Sequence, residues 1–109
     1  MIEATIPIKS VSIANLRMHW AVKAKLAKAH RNAARVALES VAPEAPALPL
    51  TVVITRIGPR KLDTDNLASS LKAVRDGIAD WIGTDDGSEL LDWQYSQRKG
   101  DYAVEVEVI

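Results

Sequence analysis

The sequence predicts one α+β domain, spanning residues 1–109, in which two helices pack against a mixed four-stranded sheet. Its 109 residues are 48 % hydrophobic and 26 % charged, which is the size and composition of a globular domain with a single core. Short segments alternate apolar and polar residues, whereas two longer segments repeat apolar residues at helical spacing. These two periods, in the order β-α-β-α-β-β, predict helices packed on one sheet.

The first half of the chain contributes a strand and a long helix. Apolar residues occupy every second position of residues 2–8, the period of a strand with one buried face. Residues 9–19 show neither period and are predicted to form a loop. Residues 20–38 repeat apolar side chains at helical spacing, with basic residues along another side. Three prolines in residues 40–49 end this helix.

The second half adds a strand, a helix and two further strands. Residues 50–57 form a continuous β-branched run, which favours a central strand covered on both faces. Helical spacing returns over residues 65–82, and Gly83 stands where a left-handed C-terminal cap is common. Residues 91–96 and 104–108 alternate again, and we expect them to pair as a hairpin around residues 98–101.

The charge distribution is polarised although the formal net charge is zero. No acidic residue lies between Glu3 and Glu39. A basic segment beside an acidic site suits an enzyme that acts on a polyanion, since Lys and Arg hold phosphates and carboxylates hold metal ions. A solvated amphipathic helix that is basic by chance is the alternative, and both remain open. The basic residues of the segment are Lys9, Arg17, Lys23, Lys25, Lys28, Arg31 and Arg35.

Missing residue types and motifs narrow the chemistry. The chain has no cysteine, which excludes disulfides and thiolate metal sites and leaves carboxylates and imidazoles as metal ligands. Without a nucleophile motif or a Gly-rich phosphate loop, covalent and nucleoside-triphosphate chemistry have little support. We expect a cytoplasmic protein without a membrane partner, because the sequence shows neither a targeting segment nor an apolar run long enough to span a bilayer.

Four aspartates suggest a metal site. Asp63 and Asp65 stand at the start of the second predicted helix, and Asp85 and Asp86 follow its end in the segment TDDG. In extended backbone, a spacing of two residues puts the first pair on the same side of the chain. If the fold brings both pairs together, they form an oxygen-rich pocket suited to Mg²⁺ or Mn²⁺.

These acidic groups also have an ordinary structural interpretation. Asp63 or Asp65 is suited to cap the helix, because aspartate is a favoured capping residue and its charge complements the helix dipole. One cap explains only one aspartate. Asp85 and Asp86 are equally typical of a solvated turn.

The helix between the two aspartate pairs carries a lysine on its polar side. Lys72 lies on the same side as Asp65 and four residues before Asp76. It is placed to pair with Asp76 or to point back toward the metal end, because helical side chains lean toward the N-terminus. An EF-hand calcium loop is excluded, since Ala68 and Val74 replace its usual Gly and Glu.

The stretch DTDNLASSLKAVRDGIADWIGTDDG, residues 63–87, resembles the signature of the RusA family of Holliday junction resolvases, which are often found in phages and prophages. The family's pattern is D-x-D-N, then an amphipathic helix carrying a lysine, then D-D. The similarity is strongest over residues 60–87, and the predicted element order extends it across the chain. The resemblance implies a homodimeric, Mg²⁺-dependent endodeoxyribonuclease that cuts four-way DNA junctions by paired incisions in opposing strands.

The resemblance also implies roles for individual residues. Asp63, Asp65 and Asp86 match the family's acidic metal-binding positions, and we add Asp85 as a lesser metal ligand. We assign to Lys72 the role of stabilising the charge of the transition state. The family usually places its lysine one turn after the second aspartate. The residues that we assign to DNA contacts are Asn66, Arg60, Lys61, Lys25, Lys28 and Arg35, together with Asn15 and Arg17 of the segment ANLRMHW, which resembles an Asn-containing loop of the family.

Two other functions remain open. A catalytically silent DNA-binding or partner-binding module would use the aspartates only for caps and turns. A metal-dependent nuclease that acts on flaps, forks or other branched DNA would use the same residues as a junction resolvase. The sequence does not distinguish a junction resolvase from a nuclease that cuts other branched DNA.

Overall fold

Four strands and three helices make up residues 1–11 and 16–109, the part of the chain that the computed structural model describes. In chain order they are β1 (Ile2–Ile6), α1 (Trp20–Val41), β2 (Leu50–Gly58), α2 (Thr64–Ser70), α3 (Lys72–Ile82), β3 (Leu91–Lys99) and β4 (Ala103–Val108). The predicted α+β class with a mixed four-stranded sheet is confirmed. No helix within these ranges is both long enough and apolar enough to cross a membrane.

The sheet has the strand order β1-β4-β2-β3, so the predicted hairpin between the last two strands is wrong. β4 pairs antiparallel with β1 and β2, whereas β3 pairs parallel with the outer side of β2. Residues 100–102 therefore cross the end of β2, where the Gly100 N–H donates to the Gly58 carbonyl at 3.0 Å. Alternating residues identify strands but not their partners, which is why the sequence pattern missed this crossover.

The second predicted helix is divided in two at Leu71. The Ser70 hydroxyl donates to the Leu67 carbonyl at 2.8 Å, and the Leu71 N–H bonds three residues back to the Ala68 carbonyl at 3.2 Å. Such serine back-bonding and tightened bonds bend or interrupt a helix. The predicted cap at Gly83 is confirmed, with φ of 84° and its N–H bonded to the Ala79 carbonyl.

The core lies on one face of the sheet, under the helices. Alternate β2 residues are buried, but the intervening Thr51, Val53 and Thr55 are partly exposed, so the prediction that β2 is covered on both faces is wrong. The open face is lined instead by polar side chains of the neighbouring strands, such as Glu107 and Gln94. Fully or almost fully buried members of the core include Ile6, Leu38, Val52, Ile54, Leu71, Val74, Ile78, Val104 and Val106.

A close crossing of α1 and α3 fixes the position of α3. A Cβ atom on Gly77 would lie 2.1 Å from the Arg31 carbonyl oxygen and 2.9 Å from the Ala34 Cβ. Beside this contact, the Arg31 guanidinium donates two hydrogen bonds to the Asp80 carboxylate, at 2.6 and 2.7 Å. The glycine lets the two backbones approach, and the partly exposed ion pair lies beside their crossing.

Replacing Gly77 with alanine is expected to lower the free energy of unfolding by about 1–3 kcal/mol, because the added Cβ overpacks the helix crossing. The higher helix propensity of alanine, worth about 1 kcal/mol, offsets only part of this cost. Urea denaturation followed by circular dichroism measures the change. Gly87→Ala is the matched control, since its Cβ would meet nothing closer than the Asp85 carboxylate at 3.7 Å. A Gly77→Ala variant as stable as the wild type would contradict the close crossing.

Candidate functional site

Asp63 is the N-cap of α2. Its Oδ1 accepts a hydrogen bond from the Asn66 backbone N–H at 2.9 Å, and its Oδ2 accepts from the Asn66 side-chain amide at 3.2 Å. The capping interpretation of this aspartate is therefore confirmed. These bonds leave lone pairs on an exposed carboxylate, so capping does not prevent Asp63 from binding a cation.

Asp65 has no such structural role. It lies in the first turn of α2, which begins at Thr64. The prediction that the backbone is extended from Asp63 to Asp65 is therefore wrong. Its side chain is exposed, and it forms no hydrogen bond or ion pair with any residue in the described ranges. Apart from a favourable interaction with the helix dipole, the fold does not use this carboxylate.

A second cluster of charges lies at the start of α3. The Lys72 ammonium donates to the Asp76 carboxylate at 2.8 Å and to the Asp86 carboxylate at 2.9 Å. The predicted pairing of Lys72 with Asp76 is thus present. Arg75 Nε lies 2.9 Å from the same Asp86 oxygen that Lys72 contacts. The hydrogen bond from Lys72, with the charge of Arg75, holds the pKa of the Asp86 carboxyl below its ordinary value.

The Asp86 backbone is anchored to β3. Its carbonyl oxygen accepts from Arg75 Nη2 at 3.0 Å and from Trp93 Nε1 at 2.8 Å. The Arg75 guanidinium also stacks 4.7 Å from the Trp93 ring centroid and donates to the Tyr95 hydroxyl at 3.0 Å. These contacts give the TDDG segment a fixed place beside β3, while the neighbouring Asp85 remains exposed.

Asp63 caps the start of α2, whereas Asp86 contacts Lys72, which follows the end of that helix. Gln97 of β3 bonds both backbone groups of Leu62, just before Asp63, whereas Trp93 holds Asp86. Trp93 and Gln97 are four residues apart on one strand, which corresponds to roughly 13 Å. Within residues 1–11 and 16–109, no three acidic or histidine side chains form a group able to hold a metal ion. The structure therefore keeps the predicted ligands as two separate groups.

Asp63 and Asp65 by themselves suit Mg²⁺. This ion is commonly held by one or two carboxylates, with water and substrate phosphates completing its octahedral shell. A partner-free carboxylate in the first turn of the helix and a capping carboxylate two residues earlier would supply such donors, and oxygen ligands favour Mg²⁺ or Mn²⁺ over softer metals. The Asp86 carboxylate, in contrast, already forms ion pairs with two cationic side chains.

The residues assigned to DNA contacts are spread over two surfaces. Arg60 and Lys61 are exposed just before Asp63, and Asn66 is bonded to it. Arg35 pairs with Glu39 at 3.0 Å on α1. Asn15 lies outside the described residues. The other assigned residues, all exposed, are Arg17, Lys25 and Lys28.

Two arginines near these groups were missed by the sequence analysis. Arg75 was hidden among the polar residues of a helix. Arg56 is buried on β2, in phase with the apolar positions Leu50, Val52 and Ile54. A charged residue at an inward position of an apolar strand is a readable signal, because burying a charge is costly unless it is bound.

Comparisons with known proteins do not assign the chain to a family. The chain matches no protein-family model and no curated protein. The argument for a function therefore depends on the residues and their geometry.

The Asp86 pKa gives a test of the second cluster. Lys72→Met is expected to raise the pKa of the Asp86 carboxyl toward its ordinary value of about 3.9, since the largest stabilising contact is lost. NMR titration of the carboxyl carbons measures it, with Lys99→Met as the control. Because the folded-state pKa is the lower one, the stability that the pair contributes is complete above the ordinary pKa. It is lost as the pH falls through the folded-state pKa. An ordinary Asp86 pKa in the wild type would contradict the pairing.

Proposed function

We propose that the protein is a Mg²⁺-dependent endodeoxyribonuclease that resolves four-way DNA junctions by paired phosphodiester hydrolysis. The single observation that carries this proposal is the exposed Asp65 carboxylate, which has no partner in the described part of the chain and lies in the first turn of the helix that Asp63 caps. Arg60 and Lys61 precede this pair, with Leu62 between Lys61 and Asp63. Carboxylates for a cation and basic side chains for phosphates are the two requirements of a nuclease site. The resemblance to the RusA family supplies the substrate class.

The proposed chemistry places Asp63 and Asp65 on the cation. When bound, Mg²⁺ or Mn²⁺ neutralises the phosphate oxygens and lowers the pKa of a coordinated water. Asp63 would keep its bond to Asn66 while it binds, which fixes the carboxylate's orientation. Asp65 adds the second negative charge without losing any protein contact. Both carboxylates are thus available at low energetic cost.

Lys72 and the TDDG aspartates form the second part of the proposed site. Two carboxylates beside the Lys72 ammonium raise its pKa, with the Asp76 hydrogen bond the larger cause. Lys72 therefore stays protonated and suits charge stabilisation rather than proton abstraction. Asp86 binds a metal only after exchanging its cationic partners. The Lys72 side chain is 59 % exposed, so its pair with Asp86 is the weaker of the two. Arg75 and Asp86 are only 25 % and 24 % exposed, so breaking their pair costs more.

DNA binding and dimer formation belong to the same proposal. Arg60, Lys61 and the basic residues of α1 would contact the sugar-phosphate backbone, which supplies affinity rather than sequence choice. A homodimer would present two equivalent sites to a junction whose arms are related by an approximate dyad. Two coordinated incisions in opposing strands follow from that symmetry.

One alternative has structural support of its own. Asp63 caps a helix and Asp86 is paired with two cations, which is what a catalytically silent binding module requires of them. Asp65 decides between the two functions, because the module assigns no role to it. A nuclease specific for flaps, forks or other branched DNA keeps the same site and differs only in substrate.

The activity is tested with a labelled four-way junction and Mg²⁺. The wild type should cut opposing strands symmetrically, and EDTA should abolish the cuts. Asp63→Asn and Asp65→Asn should each lose at least about 100-fold, because even residues that only support a metal ligand commonly contribute 10–100-fold. Asp92→Asn, on an exposed β3 position, is the charge-matched control and should cut normally. Intact junctions of several sequences would reject the resolvase, and cuts in flaps or forks alone would indicate the other nuclease.

Metal binding is tested separately from catalysis. Mg²⁺ or Mn²⁺ should raise the melting temperature of the wild type in a saturable manner, because a ligand that binds only the folded state stabilises it. Asp65→Asn should remove most of this shift while leaving the metal-free melting temperature nearly unchanged, since Asp65 has no protein partner. A shift retained in Asp65→Asn would place the cation elsewhere.

A further inference from the structure

A pocket of about 470 Å³ opens at the end of β2, beside the start of α2. Its volume lies within the range of small-ligand sites. Its polar lining comes from Ser10, Arg56, Arg60, Asn66 and Tyr102. Asn66 also binds Asp63, so the pocket adjoins the proposed metal ligands.

The pocket is built around a buried positive charge. Arg56 is only 4 % exposed, and no carboxylate in the described ranges forms an ion pair with it. Its guanidinium donates to two backbone carbonyls, those of Arg60 at 2.8 Å and Ser10 at 3.4 Å. Both acceptors are neutral, so no anion among the described residues balances this charge. A buried cation without a counterion is costly for the fold and favours an anion at that place.

The surroundings hold the guanidinium in position. A Cβ atom on Gly58 would lie 2.9 Å from both terminal nitrogens of Arg56, so the glycine provides the space that they occupy. The Tyr102 ring lies 5.9 Å from the guanidinium carbon, and the Lys9 ammonium lies 5.1 Å from the same ring. Lys9 thereby adds a second positive charge near the pocket.

Ser10 supplies an independent observation. It is fully buried, and its hydroxyl has no hydrogen-bond partner among the residues that the structure describes. Buried hydroxyls are normally satisfied, because leaving one without a partner costs free energy. Ser10 lines the same pocket as Arg56. Both groups are donors, and an anionic oxygen would satisfy both.

We propose that this pocket binds a phosphoryl group, with Arg56 and Ser10 as its principal donors. A guanidinium matches phosphate geometry through paired hydrogen bonds, and a serine hydroxyl completes the set. If the proposed nuclease function is right, the occupant is a phosphate of the DNA backbone, held next to the cation bound by Asp63 and Asp65. The pocket itself requires no metal. A free phosphate or phosphomonoester has the same chemistry and is the other source.

The pocket is tested first with inorganic phosphate in EDTA at constant ionic strength, with binding followed by NMR. Wild type should bind saturably. Ser10→Ala and Gly58→Ala should each weaken binding by roughly tenfold or more, the second because its Cβ displaces the guanidinium. Arg56→Met should abolish binding if it folds; the two milder variants decide the matter if it does not. Arg98→Gln removes an arginine from the exposed side of β3 and is the control.

A short DNA duplex, also in EDTA, distinguishes the two sources. Weaker duplex binding by Ser10→Ala and Gly58→Ala than by Arg98→Gln identifies the occupant as backbone phosphate. Binding of inorganic phosphate without any effect of these variants on DNA identifies a free phosphate or phosphomonoester. Variants that bind both ligands as tightly as the wild type would overturn the pocket. If both variants bind normally and also cut junctions at the wild-type rate, the proposed nuclease function is retained and only the phosphate pocket is rejected. Saturable phosphate binding without junction cleavage would reject the nuclease alone.

Discussion

The close crossing of α1 and α3 is the contact on which the rest of the structure depends. Gly77 allows the two helix backbones to approach, and the Arg31–Asp80 pair aligns them. Because α3 is held there, its first turns bring Lys72 and Arg75 to the TDDG segment. The Arg75 guanidinium also stacks on the Trp93 ring. A different crossing would move both cationic side chains away from Asp86. The geometry of the second charge cluster thus depends on how α3 packs on α1.

Of Asp63, Asp65 and Asp86, the fold uses the first and the last but not Asp65. Asp63 caps a helix and Asp86 neutralises two cations, so each contributes to stability where it stands. Asp65 contributes almost nothing to the fold, and its complement is Arg56, a buried cation without a counterion. Asp65 directly precedes Asn66, which lines the same pocket as Arg56. Under the proposed function, the two charged groups would receive the metal ion and the phosphate of one ligand.

Local patterns predicted most elements, since period and capping chemistry are properties of neighbouring residues. The α+β class, the basic α1, the Gly83 cap and the Lys72–Asp76 pair were all accessible in this way. Strand partners were not, because the alternation in β3 and β4 is the same whether they pair with each other or with β2. The break at Leu71 depends on hydroxyl bonding that competes with a strong helical pattern. The distance between Asp63 and Asp86 depends on contacts with β3, far along the chain, which spacing does not encode.

The position of β4 has a consequence for how the chain folds. β4 is the last strand in chain order, yet it occupies the place between β1 and β2 and hydrogen-bonds to both. β1 therefore has no sheet neighbour until residues a hundred positions later arrive, whereas β2 and β3 join through a local crossover. Contacts of such wide sequence separation slow folding. During synthesis on the ribosome, β1 and the adjacent edge of β2 would stay unpaired until β4 emerges, so the sheet is completed only after all four strands have been made.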